Sequence, residues 1–342
     1  MRTPPAPPVP PGYRGRPPTA ADAAALHALL ATCEQQSPGG GPTTLDGIAA
    51  QLDRLARESG ATAVLVHAAD GELAAWAWAH GHRSAVDVHP GHRGRGLGAS
   101  LLAWAEGRAR QGGADRLAQT VSDADPAAGA LLRATGYAPL VTEWLLEIAL
   151  DADPEVPEPP TGVTVRPFRA GDAHAAHLLT EDAFDEWQHR RKPYAEWAEH
   201  NVERASFAPG ASPCAFVGDQ LVGVVLSLDV PGGDEGYVER VAVRRDQRDR
   251  GIARVLLRSA FQAFYRQGKG SCTLVTHSDT GALPLYERLG MRVRHSSTVY
   301  GKPLIEPNEP NEPNEPNEPN EPNEPNEPER TGEDAASGAG VP

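Results

Sequence analysis

Cysteine, methionine and aromatic side chains are scarce in this chain of 342 residues, which holds three Cys, two Met, six Trp, seven Tyr and six Phe. Cys33, Cys214 and Cys272 lie far apart, show no metal-ligand spacing and are odd in number. That pattern excludes a disulfide framework, points to a reducing cytoplasmic setting and gives no reason to expect a metal. Long apolar runs are missing too. No stretch reaches the roughly 18 residues of a membrane-spanning helix, so no membrane association is expected. The first residues lack the apolar segment of a secretory signal. Positive charge is not in excess either. Of the formal net charge of −14, the residues from Ile305 onward, with ten Glu, one Asp and one Arg, carry −10, leaving −4 on the 304 residues before them. The foldable part has no electrostatic footprint for nucleic acid, and no such partner is expected.

Proline and glycine, in contrast, are abundant and clustered. Residues 1–18 hold eight prolines and two glycines, which predicts a disordered leader. Residues 151–160 form an acidic, proline-rich connector, the expected domain boundary. From Glu306 the chain runs through seven Glu-Pro-Asn units, so residues 305–342 are expected to be an extended, polyproline-like tail. Between these lie two stretches, 19–150 and 161–304, each long enough for its own core.

Both stretches read as the same order of elements. In the first, helical spacing marks residues 19–31 and 45–57, and short apolar runs mark strands at 61–67, 73–79 and 83–89. A helix over 97–110, a strand over 116–121, a helix over 126–135 stopped by Gly136, and a strand over 141–150 follow. The second stretch gives a strand at 163–167, helices at 172–184 and 194–202, and strands at 214–217, 221–228 and 237–243. It then gives a helix over 254–266, a strand at 272–276, a helix over 280–289 stopped by Gly290, and a strand over 291–300.

One segment organises each copy. Val241-Ala242-Val243 ends a buried strand, a basic turn follows, and a helix opens at Arg248-x-x-Gly251-x-Ala253. Successive backbone N–H groups and a helix N-terminus converge there, which suits a phosphate. Val86-Asp87-Val88, followed by Arg93-x-x-Gly96-x-Gly98, repeats the pattern 155 residues earlier. Gly136-Tyr137 and Gly290-Met291 stand 154 apart. Agreement across strand, turn, helix, strand, helix and glycine stop identifies two copies of one α/β domain.

The turn admits other readings. Gly94-x-Gly96-x-x-Ala99 loosely fits a dinucleotide fingerprint, but the second copy lacks its first glycine and neither has a clear acidic partner on a following strand. A nucleotide P-loop needs Gly-Lys-Ser/Thr, which both copies lack. Glycines that merely let a helix approach a strand are the structural alternative.

The pattern Arg-x-x-Gly-x-Gly/Ala between a Val-x-Val strand and a long helix resembles the acetyl-CoA motif of the GNAT N-acyltransferase superfamily. Leu285-Tyr286-Glu287-Arg288-Leu289-Gly290-Met291 resembles that family's second signature. The resemblance spans residues 19–304 as two GNAT-like domains in tandem, similar to the mycothiol synthase family, whose first domain is catalytically degenerate. It implies a mixed α/β sheet in each domain, acetyl-CoA as co-substrate and a small amine as acceptor. It also implies that the pyrophosphate lies on the backbone of Arg248, Asp249, Arg250, Gly251, Ile252 and Ala253, with the pantetheine arm along Val241, Ala242 and Val243. The matching positions of the first copy are Arg93, Gly94, Arg95, Gly96, Leu97 and Gly98, with Val86, Asp87 and Val88. The arm would act as an extra strand where the sheet splays.

Acyl transfer to an amine needs a deprotonated nitrogen, an aligned thioester and a proton for the leaving thiolate. Tyr286 stands where the resemblance implies the acid, although a core tyrosine on a short helix reads the same way. Glu239 is the candidate base through a water, since alternation puts Tyr237, Glu239, Val241 and Val243 on one face. An ion pair with Arg240 explains Glu239 equally well. The mycothiol synthase family's acidic residue aligns with Tyr237, and a cysteinyl-sugar amine is the alternative acceptor. In the first copy Ser84 and Leu132 hold the places of Glu239 and Tyr286. That copy is expected to hold coenzyme A without turning it over. Trp76, Trp78, His80 and His82 nearby read as packing and surface rather than as a metal site. Glu181, Asp182, Asp185, Glu186, Trp187, Tyr194 and Trp197 form an acidic, aromatic region suited to a cationic acceptor, or an ordinary charged helix face. The rival from another class is a non-catalytic acyl-CoA-binding protein.

Overall fold

The computed structural model describes residues 8–36, 43–58, 62–185, 191–229 and 233–305. Most of the expected tail, the loop at 37–42 and the first seven residues lie outside them. In the first half β1 (Tyr13–Arg16) leads into α1 (Ala23–Gln35) and α2 (Leu45–Arg57), then β2 (Thr62–Ala68), β3 (Leu73–His80) and β4 (Arg83–Val88). It continues through α3 (Leu97–Gln111), β5 (Arg116–Ser122), α4 (Pro126–Ala134) and β6 (Ala138–Ala149). The second half repeats the order as β7 (Val163–Pro167), α5 (Ala173–Phe184), α6 (Tyr194–Asn201), β8 (Pro213–Val217), β9 (Gln220–Asp229) and β10 (Glu235–Val243). It ends in α7 (Ile252–Arg266), β11 (Ser271–His277), α8 (Leu283–Arg288) and β12 (Arg292–Pro303).

Alternation along each strand decides which helices cover it. In β2, Val64 and Val66 pack with Leu97 and Leu101 of α3, while Leu65 between them packs with Leu26 and Ile48 of α1 and α2. The second half has the same layers, with α7 on one face of the sheet and α5 and α6 on the other. Gly236 of β10 permits the closest approach, because a Cβ there would lie 2.4 Å from the Phe264 ring of α7.

The duplication extends to polar ties. Arg16 forks onto Asp22 ahead of α1, and Arg166 onto Asp172 ahead of α5, with N–O distances of 2.5 to 2.9 Å. In both copies the acid also accepts a backbone N–H three residues earlier, from Thr19 or Arg169, at 2.7 Å. His27 meets the Thr43 carbonyl at 3.0 Å, and His177 meets that of Lys192 at 2.8 Å.

The described strands form one mixed sheet of 12, in the order β1-β2-β3-β4-β5-β12-β6-β11-β10-β9-β8-β7. β4–β5 and β10–β11 are parallel, and the other pairs antiparallel. At the centre the halves exchange their last strands. β6 pairs with β11 from Ser271↔Ala149 to His277↔Glu143, and β12 pairs with β5 from Ser297↔Ser122 to Pro303↔Arg116. Leu146 of β6 and Leu150 just past its end are buried with Ile252 and Leu256 of the second half, and Tyr300 of β12 with Leu102 and Leu132 of the first. Each such buried side chain contributes roughly 1.5–3 kcal/mol.

Two expectations change. The stretches 19–150 and 161–304 do not close separate sheets, because residues up to 305 form one compact unit and each half is completed by a strand of the other. Tyr13–Arg16, expected within the leader, pairs as an edge strand with β2. Tyr13 is anchored by its hydroxyl to His92 Nδ1 at 3.0 Å.

Candidate active site

The two turns have the same backbone. Gly96 and Gly251 cap α3 and α7 with φ near 83°, and two residues earlier Gly94 (φ 73°) and Asp249 (φ 62°) are also left-handed. Asp249 is the one non-glycine residue with positive φ among the described residues. Aspartate tolerates this conformation better than most side chains. The first N–H groups of α3 and α7 have no intrahelical acceptor, so the turns present them outward. Arg93 and Arg248 fix the turns from beneath, donating from Nε to the Val88 and Val243 carbonyls at 3.3 and 3.2 Å. Arg95 reaches Tyr13 Oη and Arg250 the Thr161 carbonyl, at 3.2 and 3.0 Å. Arg244, which opens the basic turn after β10, is held by Asp246 at 2.6 Å.

Next to each turn the sheet opens. β4 and β5 pair only at Arg83↔Ala118, while β10 and β11 pair from Glu235↔Ser271 to Val238↔Leu274. Arg83 and Val238, 155 residues apart in sequence, each end the parallel pairing of their strand. Beyond them Val86 to Val88 and Val241 to Val243 keep their partners on β3 and β9 but have none on the other side among the described residues. A missing row of backbone partners accommodates an extended ligand.

At this step β10 has a bulge. Its register against β9 shifts between Val238 and Arg240, leaving Glu239 unpaired. The bulge corrects the expected alternation, because an extra residue reverses the faces beyond it. Val238, Val241 and Val243 pack toward α7, whereas Ala242 is buried with Trp197 of α6 and Arg240 donates to Asn201 Oδ1 at 2.8 Å. Tyr237 and Glu239, on alternation from Val238, face the α5–α6 side and do not share a face with Val241. Burial, reinforced by the Glu239 charge, pushes the Tyr237 phenol up to about 12. Glu239 itself is exposed, and its supposed partner Arg240 turns to Asn201.

Tyr286 lies on α8, 7% exposed, in the cluster of Ile252, Leu256 and Leu146. Burial pushes its phenol up to about 12. The expected acidic region is largely neutralised. Arg191 holds Asp182 and Asp185 at 2.7 and 3.0 Å, Glu181 accepts the Lys192 N–H, and Trp197 is core. Glu186 and Trp187 lie outside the described residues.

In the first half the opening is a cleft of about 640 Å³. Val86, Val88, Leu131 and Leu132 line its α3–α4 side, and Cys33, Glu34 and Asp87 its α1 side. Leu132 and the buried Ser84 bring no acid or base. Arg93 and Asp125 pair at 3.3 Å, and β12 adds His295 from the other half. Burial, with Glu34 beside it, pushes the Asp87 carboxyl up to about 6 against the pull of Arg93. Nearby, Trp76 and Trp78 pack on α1, and His80 and His82 meet Glu58 and Asp115. Glu72, His89 and His92 bring polar atoms within 4.8 Å of one another, with the His92 nitrogens already bonded to Tyr13 and Glu72. Among the described residues no helix is long and apolar enough to cross a membrane.

A mycothiol acetyltransferase from Thermobispora bispora is 28% identical over 278 residues, covering 77% of this chain and 91% of that protein. The structure of a GCN5-related N-acetyltransferase from Sphaerobacter thermophilus superposes with a TM-score of 0.75 at 31% identity, covering 86% of this chain and 97% of that one. A tandem GNAT protein from the clavulanic acid biosynthesis pathway shares the fold, with a TM-score of 0.66 at 18% identity over 86% of this chain and 100% of that one. Residues 25–137 and 173–291 each match the acetyltransferase (GNAT) family, and the chain belongs to that family with its domain present twice.

Proposed function

We propose that the chain transfers an acetyl group from acetyl-CoA to a primary amine of a small molecule or peptide, with chemistry at the β10–β11 opening. The observation that carries the reading is the bulge at Glu239. It sets an exposed carboxylate at the step where the sheet parts, on the face covered by α5 and α6. The pyrophosphate would rest on the N–H groups of Asp249 to Ala253, and the pantetheine arm would pair with the open edge of Val241 to Val243. The same contacts are available from Gly94 to Gly98 and Val86 to Val88.

Glu239 draws the proton from the acceptor ammonium through a water, and the nitrogen attacks the thioester carbon. Tyr286 holds its proton at neutral pH and gives it to the sulfur as the C–S bond breaks, and the second proton of the acylated nitrogen passes through water to restore the phenol. Transfer from a phenol at about 12 to a free thiolate near 8.5 would be uphill by roughly 5 kcal/mol. A thiolate expelled against the same apolar wall is raised by the same desolvation, which narrows the gap.

The similarity to mycothiol acetyltransferases supports a cysteinyl-sugar amine as the finer reading of the acceptor. The test is coenzyme A release with acetyl-CoA over a panel of small amines, amino sugars, cysteinyl sugars and peptide N-termini. At least one class should turn over, and Glu239→Gln should lower kcat by about 10²–10⁴. A panel without turnover contradicts the reading.

A further inference from the structure

We propose that the first half houses a second acetyl-transfer centre, in which Asp87 is the base for an amine held in the β4–β5 cleft. The inference rests on the acetyl-CoA chemistry proposed above, but not on where the second half keeps its own base.

Counting residues conceals the candidate. By number Glu239 corresponds to Ser84, but the bulge that turns Glu239 toward the first two helices of its half has no counterpart in β4. There the register with β3 is unbroken from Ala75↔Val88 to His80↔Arg83. Ser84 therefore faces α3. The positions of β4 that face α1 past the opening are Ala85 and Asp87, which pair with Trp78 and Trp76 of the α1-facing cluster. A carboxylate is thus present on the face where the second half has Glu239, further along the strand.

The cleft has the polarity that a donor and an acceptor require. On its α3–α4 side Gln119 is 5% exposed, and its Nε2 has no hydrogen-bond partner among the described residues. A buried amide donor without a partner is a cost that folds avoid unless a ligand satisfies it. The pantetheine arm carries amide carbonyls that accept such a bond. On the α1 side, no hydrogen bond or ion pair reaches the Asp87 carboxylate from any described residue. Glu34 and Cys33 from α1, His92 and Arg93 from the turn, Asp125 from the start of α4 and His295 from β12 are the titratable and charged groups around it. Glu34 is engaged with the Thr43 N–H and hydroxyl, and Arg93 with Asp125, so Asp87 is left to meet an ammonium. With its carboxyl pushed up to about 6, it is ionised at neutral pH yet basic enough to take a proton.

The step balances without a side-chain acid. Asp87 takes one proton from the ammonium, and the freed nitrogen attacks the thioester carbonyl carbon. The C–S bond breaks, and a second N–H proton passes through water to the departing sulfur. The products are an amide and a free thiol, and Asp87 later returns its proton to solvent. Leu132 in place of Tyr286 makes this centre the slower of the two.

The test compares the full chain with Glu239→Gln/Tyr286→Phe, with Asp87→Asn, and with all three changes combined, reading coenzyme A release from acetyl-CoA over the amine panel. The double variant should retain turnover whose kcat/KM rises with pH around 6. Adding Asp87→Asn should remove it by at least tenfold, and Asp87→Glu should restore part. Thermal melting keeps a folding defect from passing as support: Asp87→Asn should melt no lower than the parent. A double variant with no turnover above the uncatalysed rate, or a triple variant equal to the double, overturns the proposal. If the double variant is as fast as the parent and the triple variant is dead, the first half is the sole centre and the second-half assignment falls instead.

Discussion

Asp87 of β4 and Ala242 of β10 stand at the same step of the duplicated strands, 155 residues apart, and both face the first two helices of their half. Ala242 is 2% exposed and fills the core beneath α5 and α6. Asp87 lines an open cleft, although protein surrounds it closely enough to disfavour its charge. One strand position has thus become packing in one copy and a carboxylate in the other.

This difference predicts a pH signature in stability. The folded pKa of Asp87, about 6, lies above its ordinary 3.8. The stability linked to the protonated group is complete below about pH 4 and is lost as pH rises through 6. Asp87→Asn should therefore raise stability at pH 8 by roughly 1–3 kcal/mol and change little at pH 4. Urea unfolding at the two pH values checks this, and an equal change at both would contradict it.

The exchanged strands predict that the halves do not part when the connector is cut. A protease site placed within residues 151–160 and cleaved should leave one particle in size-exclusion chromatography, because β6 lies between β12 and β11. Separation of the fragments under native conditions would be inconsistent with the sheet order.

The turns predict unequal responses at neighbouring positions. Gly251→Ala forces a Cβ into φ 83° and should cost about 1–2 kcal/mol while weakening acetyl-CoA binding at least tenfold. Asp249→Gly, at φ 62°, adopts the residue already present at Gly94 and should change stability by less than about 1 kcal/mol in either direction. Calorimetric titration with acetyl-CoA and thermal melting of both variants are the measurements.

The forked pair before α5 predicts acid sensitivity. Arg166 holds the Asp172 carboxyl below its ordinary range. Its contribution is present above about pH 4 and is lost as pH falls through the lowered folded value. Asp172→Asn should cost roughly 1–3 kcal/mol at pH 7 and progressively less in acid, as read by denaturant unfolding.

Much of the architecture was legible because its determinants are local. Apolar spacing marked α2 and α7, Gly136 and Gly290 marked helix ends, and the paired turns marked the duplication. The Arg16–Asp22 and Arg166–Asp172 ties also had a signal, since Arg-Pro-x-x-Ala-x-Asp-Ala occurs at both places. The exchange of β6 and β12 had none, because alternation within a strand defines its two faces and not its neighbour. The bulge at Glu239 was hidden for a related reason: no glycine or proline marks it, and register arises from pairing. That one residue inverted the expected faces of Val241 and Val243, and it made Ser84 look like the end of the search for a base in the first half.

The assignment of acid chemistry to Tyr286 is tested most directly by single-turnover acetyl transfer from Tyr286→Phe with the best amine of the panel. The Phe ring fills the same apolar pocket and removes only the phenolic proton. Acetyl transfer at the second-half centre should slow by about 10²–10⁴ with acetyl-CoA affinity within a few-fold of the parent. An unchanged rate of transfer at full affinity would contradict it.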